Sequence, residues 1–133
     1  MAFPPAPERF FASDNFSGTH PRYLQAIEIA NYGHVRAYGG DDYTKKAVAL
    51  FQHLCDEDVE VLFTFNGTGS NIVALGSLLG PAESVICSEW AHIHVDETGA
   101  PEHALGIKLQ DVPAPDAKVT PEHVHALAGA IGN

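Results

Sequence analysis

The sequence predicts an α/β protein with a mostly parallel sheet, and three observations support this prediction. Helical and strand patterns alternate along the 133 residues. The predicted strands are short and apolar, and the loops between successive elements are brief. Such alternation is typical of parallel strands that are joined through helices. The length and the 45% apolar content suit one domain with a hydrophobic core.

Start and stop signals locate the predicted helices. Pro21 suits the first turn of a helix that ends before Gly33, and Asp42 suits the N-cap of a helix over 43–54. Thr120 and Pro121 begin the last predicted helix in the same way. Apolar periodicity then predicts strands over 59–65, 84–88 and 104–109, and helices over 71–79 and about 92–97.

A glycine-rich turn lies between the first predicted strand and the helix that follows it. Residues 66–71 read Asn-Gly-Thr-Gly-Ser-Asn. The first N–H groups of a helix have no partner within the helix, and the helix dipole adds partial positive charge there. Gly67–Asn71 is therefore predicted to bind a phosphate group, with the hydroxyls of Thr68 and Ser70 as additional donors.

Two common phosphate-binding motifs do not fit this turn. A P-loop requires a lysine after its second glycine, which is absent here, and a dinucleotide-binding fingerprint requires a small residue where Ile72 stands. The phosphomonoester of a cofactor fits the pattern better. A plain strand-to-helix turn capped by Ser70 explains the same residues without any ligand, so both interpretations stay open at this point.

His92 follows the second predicted strand, at the end where ligands gather in open α/β sheets. A histidine there can stack on a flat ring or transfer protons, although a surface histidine at a helix start is the simpler explanation. The chain has eight histidines, which raises the question of a metal site. His123 and His125 do not share a helix face, and no cysteine or aspartate spacing completes a zinc set. No metal site is predicted.

Composition and charge exclude several classes of partner. The net charge is -10, and the seven basic residues do not cluster, which argues against nucleic acid. No apolar run reaches the ~20 residues of a membrane helix, and the N-terminus does not resemble a secretory signal. Cys55 and Cys87 each lie in an apolar pattern, which indicates small core residues in a reducing cytoplasm.

Four motifs, taken in order, resemble the N-terminal part of the low-specificity L-threonine aldolases. They are Phe-Ala-Ser-Asp-Asn at 11–15, Tyr-Gly-x-Asp-Asp at 38–42, the glycine turn at 66–71, and Ala91-His92 with Glu97 five residues on. These aldolases belong to the β-eliminating lyase group of fold-type I pyridoxal 5′-phosphate (PLP) enzymes. The resemblance implies a three-layer aspartate-aminotransferase-like fold. Residues 1–20 would be a lead-in segment, and residues 21–133 an incomplete N-terminal part of the PLP-binding large domain.

The resemblance also implies roles for individual residues. The cofactor phosphate would be bound by Gly67, Thr68 and Gly69. His92 would stack on the pyridine ring and assist proton transfer from the substrate hydroxyl. Ser13 would lie near the substrate carboxylate with a catalytic role, and Tyr38 would contact the substrate or the subunit boundary. The implied partners are an amino-acid substrate and further copies of the chain, in a homodimer or homotetramer.

The chain departs from the family pattern in ways that bear on activity. The chain has four lysines, at Lys45, Lys46, Lys108 and Lys118. None of them has the setting of the family's Schiff-base lysine. The chain alone is therefore expected to be inactive. Asp96 stands where relatives often carry an aromatic residue. Another PLP-dependent β-eliminating lyase and a non-catalytic binding or assembly module are the alternatives.

Overall fold

The computed structural model describes residues 13–55 and 58–128. The chain divides into two compact units, Met1–Val61 and Leu62–Asn133. The first unit contains a short 3-10 helix over Asp14–Phe16, then α1 (Pro21–Ala30) and α2 (Asp42–Cys55). The second unit contains α3 (Gly67–Leu78), β1 (Ser84–Ser88), α4 (His92–Val95), α5 (Ala100–Leu105), β2 (Lys108–Val112) and α6 (Pro121–Ala128).

The start of α1 follows the sequence prediction. Pro21 occupies the first turn, where its missing N–H costs no helical hydrogen bond. His20 is the N-cap, and its Nδ1 accepts a hydrogen bond from the backbone N–H of Arg22 at 3.2 Å. The helix ends at Ala30, and Gly33 follows with a φ of +83°, a conformation that glycine adopts without strain.

Asp41, and not the predicted Asp42, caps the N-terminus of α2. One carboxylate oxygen of Asp41 accepts from the Thr44 N–H at 2.8 Å, and the other accepts from the Thr44 hydroxyl at 2.7 Å. Both bonds stabilise the charged carboxylate and so lower the pKa of Asp41. The bond from the Thr44 hydroxyl has the larger effect, and the bond from its N–H follows. Two adjacent aspartates both suit an N-cap, so the sequence alone did not distinguish them.

The second unit is built around a two-stranded parallel sheet. Ser84 of β1 pairs with Lys108 of β2, and the register continues to Ser88 and Val112. The connection between the strands passes through α4 and α5, as a parallel pair requires. The predicted parallel arrangement is therefore confirmed for these strands.

Two strand predictions need correction. Residues 59–65 form no strand, because within the described ranges the sheet consists of β1 and β2 alone and offers this segment no partner. The backbone carbonyl of Val59 instead accepts a hydrogen bond from the side chain of Gln52 at 3.1 Å. The strand predicted over 104–109 begins later, at Lys108, because α5 continues to Leu105 and Gly106 ends it with a φ of +66°.

The core of the second unit lies between the sheet and α3. Cys87, Ile107 and Leu109 are buried, and partly buried apolar residues pack on them, namely Leu75, Leu79, Val85, Ala91, Ile93 and Leu105. Burial raises the pKa of the Cys87 thiol. Cys87 is thus a core residue as predicted. Cys55, the last residue of α2, is exposed, so the prediction of a core position is wrong for it.

Gly76 allows α3 to approach α5 closely. A Cβ added at Gly76 would lie 3.0 Å from Cδ2 of Leu105. We expect Gly76→Val to lower the free energy of unfolding by about 1–3 kcal/mol, because the added methyl groups overpack this contact. Ser77→Val is the matched control, since Ser77 is exposed on the same helix and tests the cost of β-branching alone. Equal losses for the two variants in chemical denaturation would contradict this account.

Candidate functional site: the first turn of α3 and His92

The helix after the glycine turn begins earlier than predicted. Asn66 is the N-cap, with an extended backbone, and its side-chain oxygen accepts a hydrogen bond from the Gly69 N–H at 2.9 Å. Its carbonyl oxygen accepts from the Ser70 N–H at 3.1 Å. Asn66 therefore caps the helix, and not Ser70 as the ligand-free interpretation of the turn has it. Gly67, Thr68 and Gly69 form the first helical turn, where an anion would bind.

Two backbone donors of this turn are left for a ligand. Within the described ranges, the N–H groups of Gly67 and Thr68 have no hydrogen-bond partner. A Cβ added at Gly67 would meet no atom within 4 Å beyond its own stretch of chain, so the space beside Gly67 is open. The positive end of the α3 dipole reinforces these donors. The N–H of Gly69 is already bonded to Asn66, so its predicted contact with a phosphate stays a prediction.

The hydroxyl of Ser70 participates in the turn itself. It donates to the carbonyl oxygen of Asn66 at 3.2 Å and forms a short hydrogen bond with the hydroxyl of Thr64. The Thr64 hydroxyl oxygen also lies 3.2 Å from the Asn66 carbonyl oxygen, and the two hydroxyl hydrogens serve two of these three contacts at a time. These bonds hold the chain that leads into α3, so the geometry assigns Ser70 to the structure of the turn.

A buried carboxylate connects this turn to His92. One oxygen of Glu97, Oε1, accepts a hydrogen bond from the side-chain amide of Asn71 at 2.7 Å. The same oxygen lies 3.0 Å from Nδ1 of His92. The Glu97 side chain is 0% exposed, whereas the His92 side chain is 66% exposed. The structure thus brings two predicted site features, the glycine turn and His92, to a common acceptor.

Local structure explains how His92 and Glu97 reach this arrangement. The chain leaves β1 at Ser88, whose carbonyl accepts from the Ala91 N–H at 2.9 Å, and α4 begins at His92. The helix ends within one turn, and Gly99 follows with a φ of +72°. Glu97 lies between these points and is directed into the interior of the unit.

Ser13 and Tyr38 belong to the first unit. The Ser13 hydroxyl accepts from the Asn15 N–H at 3.2 Å, at the start of the short 3-10 helix. Tyr38 has a φ of +57°, which is unfavourable for a residue with a Cβ, and its side chain is fully exposed. The site roles of both residues stay predictions.

The part of the chain that the structure describes contains neither a metal-binding cluster nor a membrane-spanning helix. Across residues 13–55 and 58–128, no three histidine, cysteine, aspartate or glutamate side chains come close enough together to hold a metal ion. Within the same ranges, every helix is too short or too polar to cross a membrane.

The described residues define an α/β protein in which α3 and His92 share a hydrogen-bonding partner, Glu97. A family model described as beta-eliminating lyase matches residues 11–132. The chain therefore belongs to the beta-eliminating lyase family, as the sequence motifs predicted.

Known relatives give the comparison more detail. The chain is 48% identical over 119 residues to a low specificity L-threonine aldolase of Pseudomonas sp., covering 89% of this chain and 34% of that protein. It is 46% identical to the Pseudomonas aeruginosa protein of the same description, with the same coverage. The chain thus spans about a third of the length of these relatives.

A solved structure shows the same fold. The Leishmania major threonine aldolase matches with a TM-score of 0.78 and 33% identity, over 86% of this chain and 34% of that one. This match confirms the predicted fold class, the aspartate-aminotransferase-like fold of which the chain carries a part.

Sequence reasoning assigned no role to three residues of this site. Asn66 could have been recognised, because asparagine directly before a helical pattern is a preferred N-cap. Asn71 was included in the turn only as its last residue, and Glu97 only as part of a motif. Their mutual hydrogen bond was not predictable from the spacing, since a glutamate is normally exposed.

Proposed function

We propose that this chain supplies the phosphate-binding part of a PLP-dependent lyase, a low-specificity L-threonine aldolase. The complete enzyme would cleave β-hydroxy-α-amino acids such as L-threonine and L-allo-threonine to glycine and an aldehyde. The observation that carries the proposal is the shared hydrogen bonding of Glu97 with Asn71 of α3 and with His92. The similarity to threonine aldolases supports the choice of reaction.

The residues of the turn fit the phosphate of PLP. Gly67 and Thr68 would donate their N–H groups to its oxygens, and the open space over Gly67 would admit the group. Gly69 would support the same contact through the backbone of the turn. When bound, PLP supplies the electron sink that delocalises the negative charge left by cleavage of the Cα–Cβ bond.

His92 would have two tasks at this site. Its exposed ring provides a flat surface for the cofactor ring, and its imidazole can accept the proton of the substrate hydroxyl. Removal of that proton is what allows the Cβ oxygen to become a carbonyl. Both tasks require a fixed ring, which the contact with Glu97 provides.

Further roles are proposed for Ser13 and Tyr38 of the first unit. Ser13 would hydrogen-bond the substrate carboxylate, and Tyr38 would contribute at the substrate or at the boundary between two copies of the chain. We propose a homodimer or homotetramer in the cytoplasm, acting on a small amino acid. The full exposure of the Tyr38 side chain supports a contact made with another chain or a ligand.

The complete enzyme should be tested for PLP-dependent cleavage of L-threonine and L-allo-threonine. We expect glycine and acetaldehyde in equal amounts, with an absorbance band of bound cofactor near the visible edge. A 2-keto acid and ammonia instead would indicate a different β-eliminating lyase. The absence of any cofactor band would indicate a binding or assembly module and would overturn the proposal.

A further inference from the structure

Glu97 is an unusual carboxylate for its position. Its side chain is fully buried, and burial of a carboxylate is costly unless hydrogen bonds compensate for lost water. Oε1 has both available partners, Asn71 and His92, whereas Oε2 is buried with no hydrogen-bond partner within the described ranges. Asn71 and His92 thus both contact Oε1, although one hydrogen bond would be enough to hold the Glu97 side chain in place.

The contact between His92 and Glu97 depends on which ring nitrogen of His92 carries the hydrogen. An ionised carboxylate can only accept hydrogen bonds. Asn71 satisfies this by turning its NH2 group toward Oε1. Against an ionised carboxylate, Nδ1 of His92 has to carry the hydrogen to bond the same oxygen at 3.0 Å, since otherwise two acceptors would face each other. In the neutral ring, Nε2 then keeps its lone pair.

We propose that Glu97 is the positioning residue that holds His92 with its proton on Nδ1, so that Nε2 is the base. This inference rests on the proposed function and deepens it. In the reaction, the O–H bond of the substrate breaks and an Nε2–H bond forms. A lone pair of that oxygen becomes the second bond of the carbonyl as Cα–Cβ breaks, the electron pair of Cα–Cβ stays on Cα of the glycine part, and the ring later returns its proton to that carbon or to solvent. The carboxylate of Glu97 stabilises the positive ring in between.

Asn71 gives this arrangement a second consequence. Asn71 belongs to α3, and its side-chain amide donates to the Glu97 oxygen that orients His92. The position of His92 is therefore fixed relative to the helix whose first turn would bind phosphate. Cofactor and base are therefore aligned through one side chain. A small displacement in such an alignment is costly to the rate.

The tautomer of His92 is the direct test, and it needs neither cofactor nor substrate. We would record 15N NMR spectra of histidine-labelled complete enzyme at a pH where histidines are neutral, assigning His92 by its loss in His92→Phe. We expect the proton on Nδ1 in the wild type and on Nε2 in Glu97→Gln, because the new amide can donate to Nδ1. A wild-type proton on Nε2, or an unchanged tautomer in Glu97→Gln, would overturn the inference.

Kinetics of the complete enzyme provide the second test. We expect Glu97→Gln to lower kcat by about 10²-fold or more, with a much smaller change in KM, since general-base catalysis contributes about 10²–10⁴-fold. Glu102→Gln is the matched control, because Glu102 accepts a backbone hydrogen bond from Leu109 and, within the described ranges, forms no hydrogen bond with His92. We expect that variant to keep its kcat.

A double mutant separates positioning from a structural role. If Glu97 acts through His92, adding Glu97→Gln to His92→Phe should cause no further loss of kcat. The same fold-loss in both backgrounds would contradict the inference. A wild type that lacks aldolase activity but keeps the Nδ1 proton would refute the proposed reaction and leave the tautomer assignment standing.

Discussion

Replacing Gly67 with aspartate is expected to weaken PLP binding by about a thousandfold while leaving the fold intact. A Cβ at this position meets no atom within 4 Å, so the side chain would extend into open space before the α3 turn. Two unit charges about 4 Å apart repel by about 4 kcal/mol near a protein surface, and each 1.4 kcal/mol is tenfold in affinity. Titration of the apo enzyme with PLP would measure the loss.

The same substitution should not weaken the helix. A negative charge in the first turn interacts favourably with the helix dipole, by about 0.3–1 kcal/mol, so thermal unfolding should not occur at a lower temperature. Gly67→Asn is the matched control, because it has nearly the same size and no charge. Wild-type PLP affinity in the aspartate variant would show that the phosphate binds elsewhere.

Replacing His92 with phenylalanine is expected to lower kcat by about 10²–10⁴-fold in the complete enzyme, with the cofactor still bound. Phenylalanine keeps a flat ring for stacking and removes the nitrogen that accepts the proton. It also removes one hydrogen bond to buried Glu97, which costs about 1–3 kcal/mol of stability. Steady-state kinetics, the cofactor absorbance and thermal unfolding together separate these effects.

His94→Phe is the control for this experiment. His94 is an exposed residue of the same short helix. Its replacement should leave both kcat and cofactor binding near wild-type values. A His92→Phe enzyme with unchanged kcat would restrict His92 to stacking and would contradict its role as a base.

Local signals predicted most of the helices and the parallel strand pair. Pro21 and Pro121 mark helix starts that the structure reproduces, because proline restricts the backbone in a way that depends on no distant residue. The segment 59–65 has the alternation of a strand and forms none among the described residues. A strand requires a partner, and partners are a property of the whole fold that no local pattern contains.

The candidate site, like the fold, could be predicted from local sequence patterns only in part. The glycine turn and His92 were identifiable because glycines before a helix and a histidine after a strand have local chemical meaning. Their connection through Glu97 was not, since it depends on a hydrogen bond between side chains far apart in the sequence, at Asn71 and Glu97. Glutamate is usually exposed, but Glu97 is buried here, in a position from which it would orient His92.

A crystal structure of the complete enzyme with PLP would test the central claim most directly. We expect phosphate oxygens to accept hydrogen bonds from the N–H groups of Gly67 and Thr68, at about 2.7–3.2 Å. We also expect the cofactor ring to lie against His92, with Glu97 still bonded to Nδ1. A phosphate bound away from the first turn of α3 would contradict the account.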